Sequence, residues 1–123
     1  FRFSENLGRL AENLVFLAFK RRQVFNPGLE LYYWKDVHHR EVDFVVKQGT
    51  KIAELIQVCW NVEHAQTKER ELRSLVKAMG ELKAESALVI TEDYEAEETV
   101  KEQRIRFVPL WKWLLDHEER DET

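Results

Sequence analysis

Residues 41–60 read EVDFVVKQGTKIAELIQVCW, and this stretch decides the fold. The segment Glu41–Val46 contains three valines and a phenylalanine, which predicts a β-strand. Lys47–Thr50 is typical of a hairpin turn. Lys51–Trp60 carries apolar residues on both sides of an extended chain, as strands at the centre of a sheet do. Two neighbouring antiparallel strands are therefore predicted, and the second of them is central.

The chain before this stretch predicts a helix and one further strand. Ser4 is a suitable N-cap residue for the helix, and apolar residues then recur at helical spacing on several of its sides. We therefore expect this helix to be nearly surrounded by protein. It should end at Lys20–Arg22, where cations meet the negative end of the helix dipole. Leu29–Trp34 then predicts the first strand, and the polar run Lys35–Arg40 a connecting loop.

The chain after this stretch predicts a helix, two strands and a final helix. Thr67 is expected to cap the first of these helices. Ala87–Thr91 predicts a fourth strand, and Ile105–Val108 predicts a fifth. We expect the acidic segment Glu92–Glu102 between them to be a mobile loop. Pro109 is expected to begin the last helix, because the first turn of a helix tolerates proline.

The predicted order of elements is α-β-β-β-α-β-β-α. A three-strand meander, followed by a helix and a strand that returns parallel, gives a mixed sheet of about five strands with helices on both faces. The chain has 123 residues, which is enough for one such α/β domain and too few for two. We place that domain at residues 1–118 and expect residues 119–123 to fray.

Composition narrows the class of protein. The formal net charge is −4, which argues against strong non-specific binding to the phosphates of nucleic acid. Cys59 is the single cysteine, so no internal disulfide can form, and this fits the cytoplasm. The longest apolar stretch, Leu14–Phe19, is far too short to cross a membrane, so no membrane partner is expected. Because the chain begins at Phe1 rather than methionine, we expect it to be part of a longer polypeptide.

Four segments of the first half of the chain carry the pattern of a known family: Gly8–Val15, Tyr32–Trp34, Arg40–Val45 and Ile56–Trp60. On these segments the sequence resembles the PD-(D/E)XK nuclease superfamily. More narrowly, it is similar to a domain of unknown function that follows the ATP-binding module of many archaeal and bacterial AAA-type ATPases. The second half of the chain matches mainly in the order of its elements.

The resemblance implies a restriction-endonuclease-like fold and a site for phosphodiester hydrolysis. In such a site carboxylates hold a hard cation such as Mg²⁺, which activates a water molecule, and a lysine stabilises the developing charge. The family pattern places an aspartate on the second strand and Glu-x-Lys on the third. Asp43 matches the aspartate, Gln57 falls at the glutamate position and Cys59 at the lysine position. Asp43 and Gln57 are the expected metal ligands, and Glu12 of the first helix is expected to assist.

Two departures from this pattern predict that cleavage is lost. A glutamine carbonyl is neutral and binds Mg²⁺ more weakly than a carboxylate, although some active members of the family carry it. Cys59 cannot replace a lysine, because a thiol is neutral below its ordinary pKa of about 8.5 and negative above it. Gln57→Glu together with Cys59→Lys is expected to recover cleavage if the rest of the site is intact.

Other interpretations of the same residues stay open. Asp43 could be a structural carboxylate, Glu12 a surface or salt-bridged residue, and Cys59 a small buried hydrophobic residue. In a second register Glu54 would be the metal carboxylate, but strand alternation places it on the opposite side of its strand from Gln57.

The histidines, the basic residues and the tryptophans indicate a further site less strongly than Asp43 and Gln57 do. His38 and His39 are adjacent, so in an extended chain they point in opposite directions and cannot chelate one metal. Lys20–Arg22 with Lys35 and Arg40 could form a phosphate-contacting patch, although a solvated rim is the simpler interpretation. The four tryptophans are expected to be core or interface anchors rather than base-stacking platforms.

The sequence thus predicts a C-terminal nuclease-fold domain of a larger prokaryotic ATPase, archaeal or bacterial on the resemblance. We expect it to be catalytically degenerate and to bind nucleic acid or a protein partner, such as the N-terminal ATPase module. One alternative is an active Mg²⁺-dependent DNA endonuclease. A second is a structural or oligomerisation module of the ATPase. A basic surface around Asp43 would favour nucleic acid, whereas an exposed Trp/Leu patch on the last helix would favour the structural module.

Overall fold

The computed structural model describes residues 3–121, and side chains from Asn6 to His117. The helices of this range are α1 (Phe3–Phe25), α2 (Ala65–Leu82) and α3 (Leu110–Asp121). Its strands are β1 (Leu29–Lys35), β2 (Glu41–Gln48), β3 (Lys51–Val58), β4 (Ser86–Thr91), β5 (Ala96–Val100) and β6 (Gln103–Pro109).

The strands form one mixed sheet in the order β1-β2-β3-β4-β6-β5. β1, β2 and β3 make an antiparallel meander, and β4 lies parallel to both β3 and β6. β5 is an antiparallel edge strand beside β6. α2 is the crossover that returns the chain from β3 to the parallel strand β4, as parallel pairing requires. The predicted α/β class, the mixed sheet and the meander are therefore confirmed.

The sheet separates two apolar cores, each covered by helix. On one face α1 and α3 pack against the strands through Val15, Phe19 and Trp113. On the other face α2 contributes Leu75 and Met79. Helices on both faces are thus confirmed, and the two faces have different cover: two helices on one side and a single helix on the other.

The predicted number of strands is wrong, because segment 92–102 contains a strand rather than only a mobile loop. β5 occupies Ala96–Val100 and pairs with β6 along its length. Glu97 and Thr99 are exposed, while the three residues that alternate with them are half-buried. Charged, outward-facing side chains are common on edge strands, where they discourage pairing with other chains. The acidic composition therefore reflects an edge position, not the absence of structure.

α1 is longer and more exposed than predicted. It runs to Phe25, so Ser4 lies inside it and Lys20–Arg22 do not end it. The prediction that protein nearly surrounds this helix is wrong, because many of its large apolar side chains are exposed. The large apolar side chains exposed there are Leu10, Leu14, Phe16, Leu17, Val24 and Phe25.

The other two helices differ from prediction at their ends. α2 begins at Ala65, with His64 rather than Thr67 at the N-cap position. α3 continues through Asp121, beyond the predicted domain boundary at residue 118, and residues 122 and 123 of the predicted tail lie outside the described residues. Between residues 3 and 121, no helix combines the length and the apolar composition that crossing a bilayer requires.

Candidate functional site

A polar cavity of about 400 Å³, the Asp43 cavity, lies where β2 and β3 meet α2. Its walls come from the loop before β2, from both strands and from the first half of α2. The structure brings Asp43 and Gln57 to this one cavity, as the predicted strand register requires. The lining residues are His38, His39, Arg40, Glu41, Asp43, Gln57, Arg70, Glu71 and Ser74.

A β-bulge in β2 lies beside Asp43. Between the Tyr32–Val45 and Trp34–Val42 pairs, β2 has one residue more than β1. A bulge bends the strand and redirects a side chain, and bulges are common beside functional sites. Asp43 itself keeps the alternation of β2 and lies on the α2 side like Val45, whereas Val42, also on that side, departs from it.

Gln57 joins three elements through its side-chain amide and is only 4% exposed. Its Oε1 accepts a hydrogen bond of 2.8 Å from the backbone N–H of Asp43. Its Nε2 donates to the backbone carbonyl of Glu41 at 2.9 Å and to the carboxylate of Glu71. Both amide hydrogens and the carbonyl are therefore engaged, and they tie β2, β3 and α2 together.

The Asp43 carboxylate is buried among other acidic groups. Its Oδ2 accepts a hydrogen bond of 2.8 Å from the backbone N–H of Val58. Burial raises the pKa of Asp43 to about 7, although the Val58 hydrogen bond opposes the rise. The negative charges of Glu12, Glu71 and Glu41 contribute smaller parts of this rise. Asp43 is therefore a carboxyl group that takes up a proton near neutral pH.

Glu71 is the site residue that the sequence did not reveal. Burial raises its pKa, while the hydrogen bond from Gln57 and the charge of Arg70 lower it. Arg70 Nη2 lies 3.7 Å from Glu71 Oε1 and supplies the nearest positive charge. In the sequence nothing distinguishes Glu71 from the exposed Glu69 two residues earlier. Its role depends on the packing of α2 against β3, which helical periodicity does not specify.

Glu12 and Cys59 lie near the cavity without lining it. Burial raises the pKa of Glu12, Arg9 opposes this, and the charges of Glu71 and other acidic groups add to it. Cys59 is 6% exposed, and burial followed by the charge of Glu71 raises the pKa of its thiol to about 11. Cys59, which the resemblance places at the lysine position, is thus a buried thiol. Cys59 is packed as a small apolar residue, the alternative that the sequence left open.

The residues present do not fit the predicted Mg²⁺ site. Mg²⁺ prefers several oxygen ligands in near-octahedral geometry. Gln57 Oε1 already accepts a hydrogen bond from Asp43, and one oxygen of Asp43 accepts another from Val58. Across the described residues, no three His, Cys, Asp or Glu side chains converge in a way that could hold a metal ion. The arrangement is a hydrogen-bonded polar core rather than a set of free ligands.

The remaining candidates lie in several places. Glu54 is on the other side of β3 from Gln57, as strand alternation predicts, and lines two smaller cavities beside Trp113 and His117. His38 and His39 line the mouth of the Asp43 cavity, in a turn in which the N–H of His38 donates to the carboxylate of Asp36 at 2.9 Å.

The predicted phosphate-contacting patch is divided between different surfaces. Lys20 and Arg21 line an apolar groove on α1. Lys35 is 3.7 Å from Glu41, and Arg40 belongs to the wall of the Asp43 cavity. These cations therefore do not share one surface.

A second feature, the α1–α3 face, is defined by Leu10, Leu14, Leu17, Trp111 and Leu115. Leu17 is 58% exposed, Trp111 60% and Leu115 52%. A groove of about 630 Å³ runs between the two helices, lined by Leu14, Leu17, Lys20, Arg21 and Leu114. Trp113 is buried as a core anchor, while Trp111, two residues away, faces outward. The last helix therefore carries the exposed Trp/Leu patch that favours a structural module.

The chain is therefore an α/β domain with a mixed six-stranded sheet and a polar cavity under α2, in which the amide of Gln57 is fully hydrogen-bonded. Residues 7–113 match the family model "Domain of unknown function (DUF4143)", so the chain belongs to this family. It is 40% identical over 121 residues to an uncharacterized protein of the archaeon Methanocaldococcus jannaschii. That match covers 94% of the chain and 26% of the relative, so the chain spans about a quarter of the relative's length. No solved structure matches the chain.

Proposed function

We propose that this chain is a non-cleaving association domain of a longer polypeptide, and that its α1–α3 face packs against another domain of that polypeptide. The observation that carries the proposal is the exposure of this face, on which Leu17 is 58% and Trp111 60% exposed. Monomeric proteins seldom expose contiguous apolar patches of this kind unless a partner covers them. Covering the face would bury apolar side chains, and each Å² of apolar surface removed from water stabilises the contact by about 25 cal/mol.

The proposed occupant is an ATP-binding module that precedes the domain in the same polypeptide. The matched region is only 26% of the M. jannaschii relative, so in that protein the domain accompanies a much longer chain. The resemblance to domains that follow ATPase modules supplies the identity of the neighbour. Lys20 and Arg21 at the edge of the groove favour an acidic rim on the surface that docks there.

The absence of cleavage is the second part of the proposal, within a restriction-endonuclease-like fold. It is supported by the engaged amide of Gln57 and by the neutral, buried thiol of Cys59 where the family's lysine would stand. The structure also changes what we expect of the double variant Gln57→Glu with Cys59→Lys. Gln57→Glu removes the donor to Glu41 and places a new carboxylate against Glu71, so we expect poor folding rather than recovered activity.

Hydrogen–deuterium exchange tests the association. The amides of α1 and α3 should exchange more slowly in the full-length polypeptide than in the isolated domain, and Leu14→Glu with Leu17→Glu should abolish the difference. Val37→Glu, at an exposed apolar residue in the loop before β2, is the matched control and should leave it unchanged. Equal exchange in both forms would refute the proposal. An isolated domain that is a dimer in light scattering, and that Leu17→Glu makes monomeric, would identify a second copy as the occupant instead.

A plasmid-nicking assay tests the catalytic part. With Mg²⁺ or Mn²⁺ present, we expect the wild-type domain to cleave supercoiled DNA no faster than Asp43→Ala does. Robust cleavage that Asp43→Ala abolishes would establish the endonuclease alternative, whatever the exchange experiment shows.

Nucleic-acid binding is a second candidate function, favoured by Arg40 and Arg70 in the wall of the Asp43 cavity. The same wall carries the acidic side chains of Glu41 and Glu71, so few phosphates would be neutralised. We expect the isolated domain to bind duplex DNA more weakly than about 1 µM at physiological salt. Tighter binding with a steep salt dependence would favour this function over the association domain.

A further inference from the structure

A basic groove of about 300 Å³ lies beside the Asp43 cavity and shares Arg40 with it. Three elements contribute to its wall: the loop before β2, the middle of α2 and the turn between β5 and β6. Four of its six lining residues are cationic, although the whole chain has a net charge of −4. The lining residues are Arg40, Arg73, Val76, Lys77, Val100 and Lys101.

The cations of the basic groove differ in how the protein holds them. Arg40 Nη1 lies 3.4 Å from Oδ2 of Asp36, whose side chain is 9% exposed, but two others are paired only weakly. Arg73 pairs with Glu69 at 3.0 Å, but both side chains are more than 60% exposed. Lys77 pairs with Glu81 at 3.8 Å, again between two largely exposed side chains. Ion pairs of this kind add little, so an anion in the groove could compete for these cations. Within the described residues, Lys101 contacts no carboxylate.

The turn that carries Lys101 has an unfavourable backbone conformation. Only Lys101 and Glu102 connect β5 to β6, and their φ angles are 49° and 69°. A two-residue hairpin with both residues in the left-handed region strongly prefers Asn-Gly. A lysine held there at a conformational penalty suggests that its side chain is needed where the turn places it, over the groove.

We propose that the basic groove is a binding site for a small organic phosphate. The phosphate would be held by Arg40, Arg73, Lys77 and Lys101, with the apolar part of the ligand on Val76 and Val100. A phosphate dianion offers three terminal oxygens in different directions, which suits cations that converge from three elements better than a planar carboxylate does. The two valines favour a ligand with an apolar body over inorganic phosphate. This site is separate from the α1–α3 face and goes beyond the association function.

Lys101 and Glu102 provide a matched pair of variants. Lys101→Gly and Glu102→Gly each relieve one left-handed residue, but only Lys101→Gly removes a cation from the groove. Phenyl phosphate is the probe, titrated by calorimetry and by amide chemical shifts. We expect binding in the wild type, weakened about tenfold by Lys101→Gly through loss of a charge-assisted contact and unchanged by Glu102→Gly. Inorganic phosphate and benzoate should both bind more weakly than phenyl phosphate.

Several results would overturn this proposal. No binding of phenyl phosphate at about 10 mM would do so, as would equal weakening by the two glycine variants. Shifts confined to the Asp43 cavity would place the ligand elsewhere. Benzoate binding as tightly as phenyl phosphate would identify a carboxylate site, and binding of a single-stranded oligonucleotide alone would identify a polymer surface. Leu17→Glu should not affect phenyl phosphate, which keeps this test separate from that of the association domain.

Discussion

Under α2, a buried amide lies beside the half-buried carboxylates of Asp43 and Glu71, whereas on the opposite side of the sheet leucines and a tryptophan of α1 and α3 face solvent. Both placements depart from the usual distribution, and such departures carry more information than a buried leucine or an exposed glutamate. In the Asp43 cavity every atom of the Gln57 amide that can make a hydrogen bond has a partner in the protein. On the α1–α3 face, by contrast, Leu17, Trp111 and Leu115 are each more than half exposed.

The two regions differ in whether their side chains are satisfied by contacts within the chain. A buried polar cluster whose groups are satisfied holds its elements in one arrangement and has little capacity left for a ligand. Covering an exposed apolar face with another surface is favourable, because it removes apolar area from water. The paired groups around Gln57 therefore act as structure, and the exposed α1–α3 face is where we propose that a partner binds.

Gln57→Ala should have the largest effect. It leaves the N–H of Asp43, the carbonyl of Glu41 and the carboxylate of Glu71 without their shared partner in a buried site. We expect the free energy of unfolding to fall by about 3–5 kcal/mol, measured by urea denaturation. Gln48→Ala, at an exposed glutamine, should change it by less than about 0.5 kcal/mol. Similar small losses in both variants would show that the cavity does not hold the strands and α2 together.

The ionisation of Asp43 gives the next largest effect: it should lower the free energy of unfolding as the pH rises. Because burial raises the pKa of Asp43 from 3.8 to about 7, the folded chain keeps a proton that the unfolded chain releases in this window. The stability that this group contributes is complete below about pH 4 and is lost as the pH rises to about 7. Asp43→Asn cannot ionise, so we expect it to be about 1–3 kcal/mol more stable than the wild type at pH 8 and equal to it at pH 4.

Asp43→Ala is the control for this measurement. It removes the same charge but also leaves the N–H of Val58 without its acceptor, so it should be less stable than Asp43→Asn at both pH values. A wild type that is more stable than Asp43→Asn at pH 8 would mean that the carboxylate is ionised and paired in the folded chain. The cavity would then be a charged site rather than a neutral polar core.

The sheet was largely predictable because local patterns specify it. The valine-rich segment at Glu41–Val46, the turn at Lys47–Thr50 and the apolar third strand fix the meander, and these are features of neighbouring residues. β5 was missed because Ala96–Val100 is acidic and half-exposed, as an edge strand can be. Its strand character comes from pairing with β6, which a local pattern does not contain.

The site was predictable only in part, for a related reason. Strand alternation predicts that Asp43 and Gln57 share one side of the sheet. It also predicts that Glu54 lies on the other side from Gln57. The hydrogen bonds of Gln57 and the presence of Glu71 depend on how α2 lies across the sheet, which is a tertiary property. The exposed side of α1 was mispredicted because apolar residues around a helix indicate burial in general. They do not distinguish burial in this chain from burial against a partner.

The smallest expected effect tests the α1–α3 face within the isolated domain. Leu17 and Val15 are two residues apart in α1, and they are 58% and 0% exposed. Leu17→Ala should change the free energy of unfolding by less than about 0.5 kcal/mol, because its side chain has little to lose and alanine favours helix. Val15→Ala should cost about 2 kcal/mol, since it opens a cavity under the helix. Comparable losses would place Leu17 in the core of this domain. In the full-length polypeptide Leu17→Ala should become the more damaging of the two for docking, because there Leu17 would be covered by the neighbouring domain.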